Sequence, residues 1–245
     1  MNKAALQYSV TEMNVEMPAG VPAGGYQQKK EDLKMKLLVI SDDFWHPAEV
    51  VEKGLSALND KYDITYVRTA RDILTPEYLA QFPVVLLWKG NTISAANRNP
   101  WFEEGVTEVN PKEFREYVEN GGGLIALHAG NTWHKGDEME ALVGNYFVGH
   151  PPRCPVSVHF EESPLTEGAE DFTLRDEHYH IEITADDIEV FAKGTSHGDD
   201  TQIAGYTRKV GKGKVVVFTP GHTLWVVEHP SFLRVVENAV KYCTE

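Results

Sequence analysis

The stretch "NPKEFREYVENGGGLIALHAG", residues 110–130, decides the fold. Its first half patterns as an amphipathic helix, with Asn110 at the N-cap, Pro111 at the first helical position and Gly121 just past the end. A glycine turn follows, then "LIALH", a short apolar run with no polar alternation. Strands of that composition are buried on both faces, as in parallel sheets. His128 stands where the chain must bend out of the strand, flanked by the small residues Ala126, Ala129 and Gly130.

Working outward, the same alternation recurs. "MKLLVI" (residues 35–40) and "PVVLLW" (83–88) read as buried strands, and "YDITYV" as a shorter one. Between them, "PAEVVEKGLSALND" places Val50, Val51, Leu55 and Leu58 near helical spacing behind Pro47, and "TPEYLAQF" is a short helix capped by Thr75. Strands alternating with helices predict an α/β fold with a doubly wound, mostly parallel sheet. Further on the pattern changes. "CPVSVHF", "HYHIEIT", "IEVFAKG" and "TQIAGYTRKVGKGKVVVFT" are strand-like, and "VGKGK" predicts an added β-hairpin. "HPSFLRVVENAVKYC" closes the chain as a helix burying Phe232, Val235, Val236 and Val240. One α/β domain is expected over residues 34–245. Residues 1–33, with "PAGVPAGGYQQKK", lack periodicity and predict an arm that is either flexible or packed on a neighbouring subunit, the latter implying a homo-oligomer.

Composition narrows the function. The 245 residues are 42% hydrophobic and 24% charged, ordinary for a globular chain. A formal net charge of −14 argues against nucleic-acid or anionic-membrane partners, which need a basic footprint. Cys154 and Cys243 are isolated thiols with no zinc-type spacing, which fits a reducing, cytoplasmic setting. No apolar run reaches the ~18 residues of a membrane span, and no secretory signal is expected.

Parallel sheets bind ligands beyond the carboxyl ends of their strands. Four strands deliver polar residues there: "SDDFWHP" brings Trp45 and His46, "WKGN" brings Lys89 and Asn91, "LIALHAG" brings His128, and "KVVVFTPGH" brings His222. Three histidines thus arrive at one sheet edge. His150, in the Gly-Pro-flanked "VGHPP", suggests a pocket wall. His134, His159 and His197 have no such support, and His229 reads as a helix-start residue. "RDEHYHIEI" (175–183), taken as one extended strand, puts Glu177, Tyr179, Ile181 and Ile183 on one face and Asp176, His178, His180 and Glu182 on the other. No GxSxG, HExxH or phosphate-binding loop is present, and the "GGG" at 121–123 precedes its strand rather than following it.

In this order, "GGGLIALHAG", "GNYFVGH", "DEHYH" and "GKGKVVVFTPGH" resemble the ThuA-like family, named for a bacterial trehalose-utilisation protein, over roughly residues 35–243. That resemblance implies a flavodoxin-like fold similar to the class I glutamine amidotransferases. In those enzymes the elbow carries a nucleophilic cysteine; here it carries His128, so thioester chemistry is unavailable, while His222 falls where they keep their catalytic histidine. The resemblance further implies catabolism of sugars, including oxidised or keto-sugars.

Three functions follow as expectations. The first is a sugar or keto-sugar enzyme of hydrolase, isomerase or lyase type, with His128, Glu177 and His222 as acid-base groups and Trp45, His46, Lys89, Asn91, His150 and Tyr179 contacting the substrate. The second is a metal-dependent hydrolase or isomerase in the same pocket, with a divalent ion such as zinc on His46, His128, Glu177 and His222. The third is a non-catalytic sugar-binding or regulatory module.

Overall fold

The apolar runs quoted above form neighbouring strands. The computed structural model describes residues 34–91, 109–196 and 200–245; the expected arm at 1–33 and His197 lie outside them. The first half of the chain alternates: β1 (Met35–Ile40), α1 (Ala48–Gly54), β2 (Tyr62–Val67), α2 (Pro76–Leu79), β3 (Val84–Leu87), α3 (Pro111–Glu119) and β4 (Gly123–Leu127). There follow α4 (Glu138–Val143), β5 (Asn145–Gly149), β6 (Cys154–Phe160), β7 (Phe172–Asp176), β8 (His180–Ile183), β9 (Glu189–Thr195), β10 (Thr201–Val210), β11 (Gly213–Phe218), α5 (Leu224–Val227) and α6 (Pro230–Thr244).

Nine strands make one sheet in the order β2-β1-β3-β4-β11-β10-β9-β6-β7, and β5 pairs with β8 in a small second sheet. The run β2-β1-β3-β4-β11 is parallel throughout. From β11 onward the pairing turns antiparallel, beginning with the β10–β11 hairpin expected from "VGKGK". The α/β class and the parallel, flavodoxin-like core are as the sequence predicts.

Alternation along each central strand feeds two cores. Val39, Leu86, Ile125, Leu127, Val216 and Phe218 pack on one face with Val51 and Leu55 of the α1 region and with Phe232, Val236 and Val240 of α6. Leu38, Val85, Leu87, Leu124 and Val217 pack on the other with Phe114 and Val118 of α3 and Leu142 of α4. Burying each such side chain contributes about 1.5–3 kcal/mol, so filling both faces fixes the strands in register. Among the described residues no helix is long and apolar enough to cross a membrane.

One local expectation holds in position though not in bonding, and one is corrected. Asn110 does precede α3, but with φ +50° and no side-chain cap; its Nδ2 instead donates to the carbonyls of Arg71 (2.8 Å) and Leu74 (3.1 Å), tying down the loop after β2. Residues 175–183 are not one strand. β7 ends at Asp176 in the large sheet and β8 starts at His180 in the small one, so the face assignment breaks at 177–179.

Candidate active site

Each site residue is held by the turn that leaves its strand. After β1, the Asp43 carboxylate accepts the backbone N–H groups of Trp45 (2.9 Å), His46 (3.0 Å) and, across the sheet edge, Gly90 (2.9 Å). It also lies 2.7 Å from His46 Nδ1, which fixes that imidazole. After β4, His128 takes φ +42° at the head of a short 3-10 turn, a left-handed conformation uncommon for a residue with a Cβ. Gly130 in that turn packs on β3, where a Cβ would sit 2.1 Å from the Leu87 carbonyl oxygen. After β11, Gly221 at φ +136° presses on Trp88, and Asp176 accepts the N–H groups of Gly221 (2.8 Å) and His222 (2.9 Å). Asp176 therefore aims His222 from the end of β7, and the next residue, Glu177, enters the centre.

His46, His128, Glu177 and His222 converge, with one ligand atom of each within 4.8 Å of all the others. His128 Nε2 is 3.3 Å from His222 Nδ1 and 3.4 Å from Glu177 Oε2; His222 Nδ1 is 3.0 Å from Glu177 Oε2. Hydrogen bonding on the outer side sets the tautomers. His128 Nδ1 donates to the Thr219 carbonyl oxygen at 2.8 Å, and His46 Nδ1 donates to Asp43, so the Nε2 lone pairs of both rings face the centre. Burial holds the His128 pKa down and keeps the ring neutral. Burial pushes Glu177 up, but its imidazole neighbours outweigh it and hold the carboxyl below the usual range; with His128 turned lone pair inward, His222 Nδ1 at 3.0 Å is the group that can donate to it. Likewise Asp43 stays low despite its burial because His46 is beside it. Tyr179 is pushed up by burial; its ring stacks on His128 at 4.2 Å, and its hydroxyl lies 3.4 Å from His46 Nε2.

A centre lined by inward lone pairs and a carboxylate needs a cation or protons to be satisfied. The donor set suits a divalent transition metal: three imidazole nitrogens and one carboxylate oxygen, two of the rings oriented by outer acceptors. A tetrahedron of zinc–ligand bonds about 2.0–2.1 Å long has edges of about 3.3 Å, close to the three separations above. Beside this centre lies a cleft of about 670 Å³, lined among others by Trp45, His46, Phe147, His150, Glu177, Tyr179 and His222. That size suits a small organic ligand.

The structure thus brings together His46, His128, Glu177 and His222, with Trp45, His150 and Tyr179 around the cleft. His128 itself is 0% exposed and lies behind the cleft rather than on its wall. Lys89 is a correction: it is buried, its Nζ donates to the Arg68 carbonyl at 2.6 Å, and it does not line the cleft. Its long apolar stem lets it follow β3 inward and tie the ends of β2 and β3. Asn91 does not line the cleft either. Sequence reasoning missed Asp43, although the spacing of "DFWH" is that of a local Asp–backbone turn, and the Thr219 carbonyl, which has no sequence signal. A second trio, His178, His180 and Asp200, also comes within 4.8 Å of one another.

The strand order and parallel core are those of an α/β fold of the glutamine amidotransferase-like kind. A family profile for ThuA, described as trehalose utilisation, matches residues 36–243, and the chain belongs to that family. Its structure is similar to that of a ThuA-like protein from Bacteroides uniformis (TM-score 0.65, 16% identity, covering 89% of this chain and 95% of that one). It also resembles a protein named for GMP synthase from Thermoplasma acidophilum (TM-score 0.55, 15% identity, 86% and 94% covered). A β-galactosidase from Rahnella sp. R3 contains a similar fold in 32% of its chain (TM-score 0.59, 13% identity, 85% of this chain). No curated protein matches in sequence.

Proposed function

We propose that the chain is a cytoplasmic, metal-assisted enzyme of carbohydrate catabolism that acts on a sugar or keto-sugar in the cleft beside His46, Glu177 and His222. The observation that carries this is the convergence of four metal-type ligands around inward-facing lone pairs at the floor of that cleft. The family's description, trehalose utilisation, supports the substrate class. The purely acid-base reading is weaker, because His128 has no exposed surface with which to meet a substrate. As a ligand from behind, its burial is an advantage.

A divalent ion held by His46, His128, Glu177 and His222 would supply Lewis acidity toward a sugar carbonyl or hydroxyl. The chain's own groups do the rest. Trp45, 51% exposed at the cleft, offers a flat face to a sugar ring. His150 Nδ1 donates to the Pro151 carbonyl at 2.8 Å, which leaves its Nε2 lone pair for a substrate proton. Glu177 Oε2, 3.5 Å away, stabilises the imidazolium that results. Incubating the protein with keto-sugars and their unoxidised parents, before and after chelation, tests the reading. Turnover that chelation removes and zinc restores is expected; turnover indifferent to chelation contradicts it.

A further inference from the structure

Next to the cleft is a hollow of about 260 Å³ lined by Arg153, Arg175, Thr223, Leu224 and Trp225. Arg153 lines both spaces, so they adjoin. Chain continuity says the same: Thr223 follows His222, Arg175 precedes the Asp176-Glu177 pair, and the Thr223 hydroxyl donates to the Arg175 carbonyl at 3.3 Å.

The composition of the hollow is out of keeping with the rest of the molecule. Acidic residues outnumber basic ones 37 to 23 in this chain, yet no carboxylate lines it. Arg68, Arg115, Arg208 and Arg234 each sit against a carboxylate. Arg153 and Arg175 have no acidic partner among the described residues, and both are exposed. Arg71 is likewise without one among the described residues, but Arg153 and Arg175 share a cavity. Two guanidinium groups line one hollow, and their planar forks match carboxylate and phosphate oxygens. Trp225, 66% exposed, adds an apolar flat face of the kind a sugar ring covers. The overall negative charge does not forbid an anion here, since fields fade over about 8 Å at physiological salt and the local pair decides.

We propose that Arg153, Arg175 and Trp225 form a subsite for an anionic sugar group, a carboxylate or a phosphate ester, on the substrate whose reacting end lies in the cleft. This rests on the reading of the cleft as a carbohydrate site. It places the charged group in the hollow that adjoins the cleft through Arg153, so the substrate is a sugar acid or sugar phosphate rather than a plain neutral sugar.

The test is calorimetric titration of the full chain with glucose, glucuronate and glucose 6-phosphate. At least one anion should bind about tenfold tighter than glucose, the preference shrinking as salt rises from about 50 to about 500 mM. Arg153→Met combined with Arg175→Met should erase the preference, and Trp225→Leu should weaken all three ligands alike. Preference for glucuronate alone identifies a sugar acid, for the phosphate alone a sugar phosphate; either upholds the subsite. Anions binding no tighter than glucose, or a preference that survives the double substitution, overturns it. Metal content, measured on the same samples, separates the two readings. A protein that holds no metal even after zinc is added back, yet still prefers anions through these arginines, refutes the metal centre and leaves the subsite standing.

Discussion

Two histidine clusters in this molecule look alike by residue type and differ in what their nitrogens face. In the first, His46 and His128 give their Nδ1 protons to Asp43 and Thr219 and turn Nε2 inward toward Glu177 and His222. In the second, His178 spends both nitrogens locally, Nδ1 at 2.8 Å from the Ser196 hydroxyl and Nε2 at 3.1 Å from the Gly194 carbonyl, while His180 pairs with Asp200 at 2.7 Å. The first cluster turns its nitrogens and a carboxylate toward one shared centre; in the second, His178 is closed by its own hydrogen bonds, and the remaining pair, His180 and Asp200, face only each other. Ligand type and proximity therefore do not make a site. The direction of the lone pairs does.

The contrast can be broken by substitution. The largest effect is expected at Glu177→Gln, which removes the anionic ligand and the partner of His150: turnover of a keto-sugar should fall by roughly 10²–10⁴-fold. His178→Ala should leave the rate near wild type. Full activity of Glu177→Gln would sink the proposed centre. Next comes Asp43→Asn. Removing the outer carboxylate that orients His46 should weaken metal affinity about 10–100-fold, as read in a chelator competition, whereas Ser196→Ala should not change it. Equal effects of the two would erase the distinction between the clusters.

Smaller changes sharpen the comparison through stability. Gly221→Ala forces a Cβ to within 2.7 Å of Trp88 at φ +136°, so thermal or urea unfolding should show a loss of about 1–3 kcal/mol. His178→Ala deletes two local hydrogen bonds and should cost about 1–2 kcal/mol with no change in bound metal. Loss of metal in that variant would show that the second cluster is not closed.

How much of this was legible in the sequence follows from what each signal encodes. "LLVI", "VVLL" and "LIAL" are apolar at every position, which only a strand covered on both faces tolerates, and they became β1, β3 and β4. Strand ends also told where His46, His128 and His222 arrive, because the backbone alone fixes that edge. Side-chain direction is not encoded so locally. Lys89 leaves the same edge yet turns inward to Arg68, and His128 is roofed over by Tyr179. Glu177 joined the centre only because the chain changes sheets between Asp176 and His180, a break invisible in the polar run "RDEHYH". Arg153 and Arg175 read as solvated charges until the fold placed them in one hollow.

The most direct measurement is elemental analysis of the protein purified without chelator or metal-affinity tag, alongside His128→Ala, His222→Ala and His178→Ala. About one equivalent of a divalent transition metal per chain is expected in the unsubstituted protein, lost in the first two variants and kept in the third. An unsubstituted protein that holds no metal even after zinc is added back, or one whose metal follows His178 rather than His128, contradicts the account.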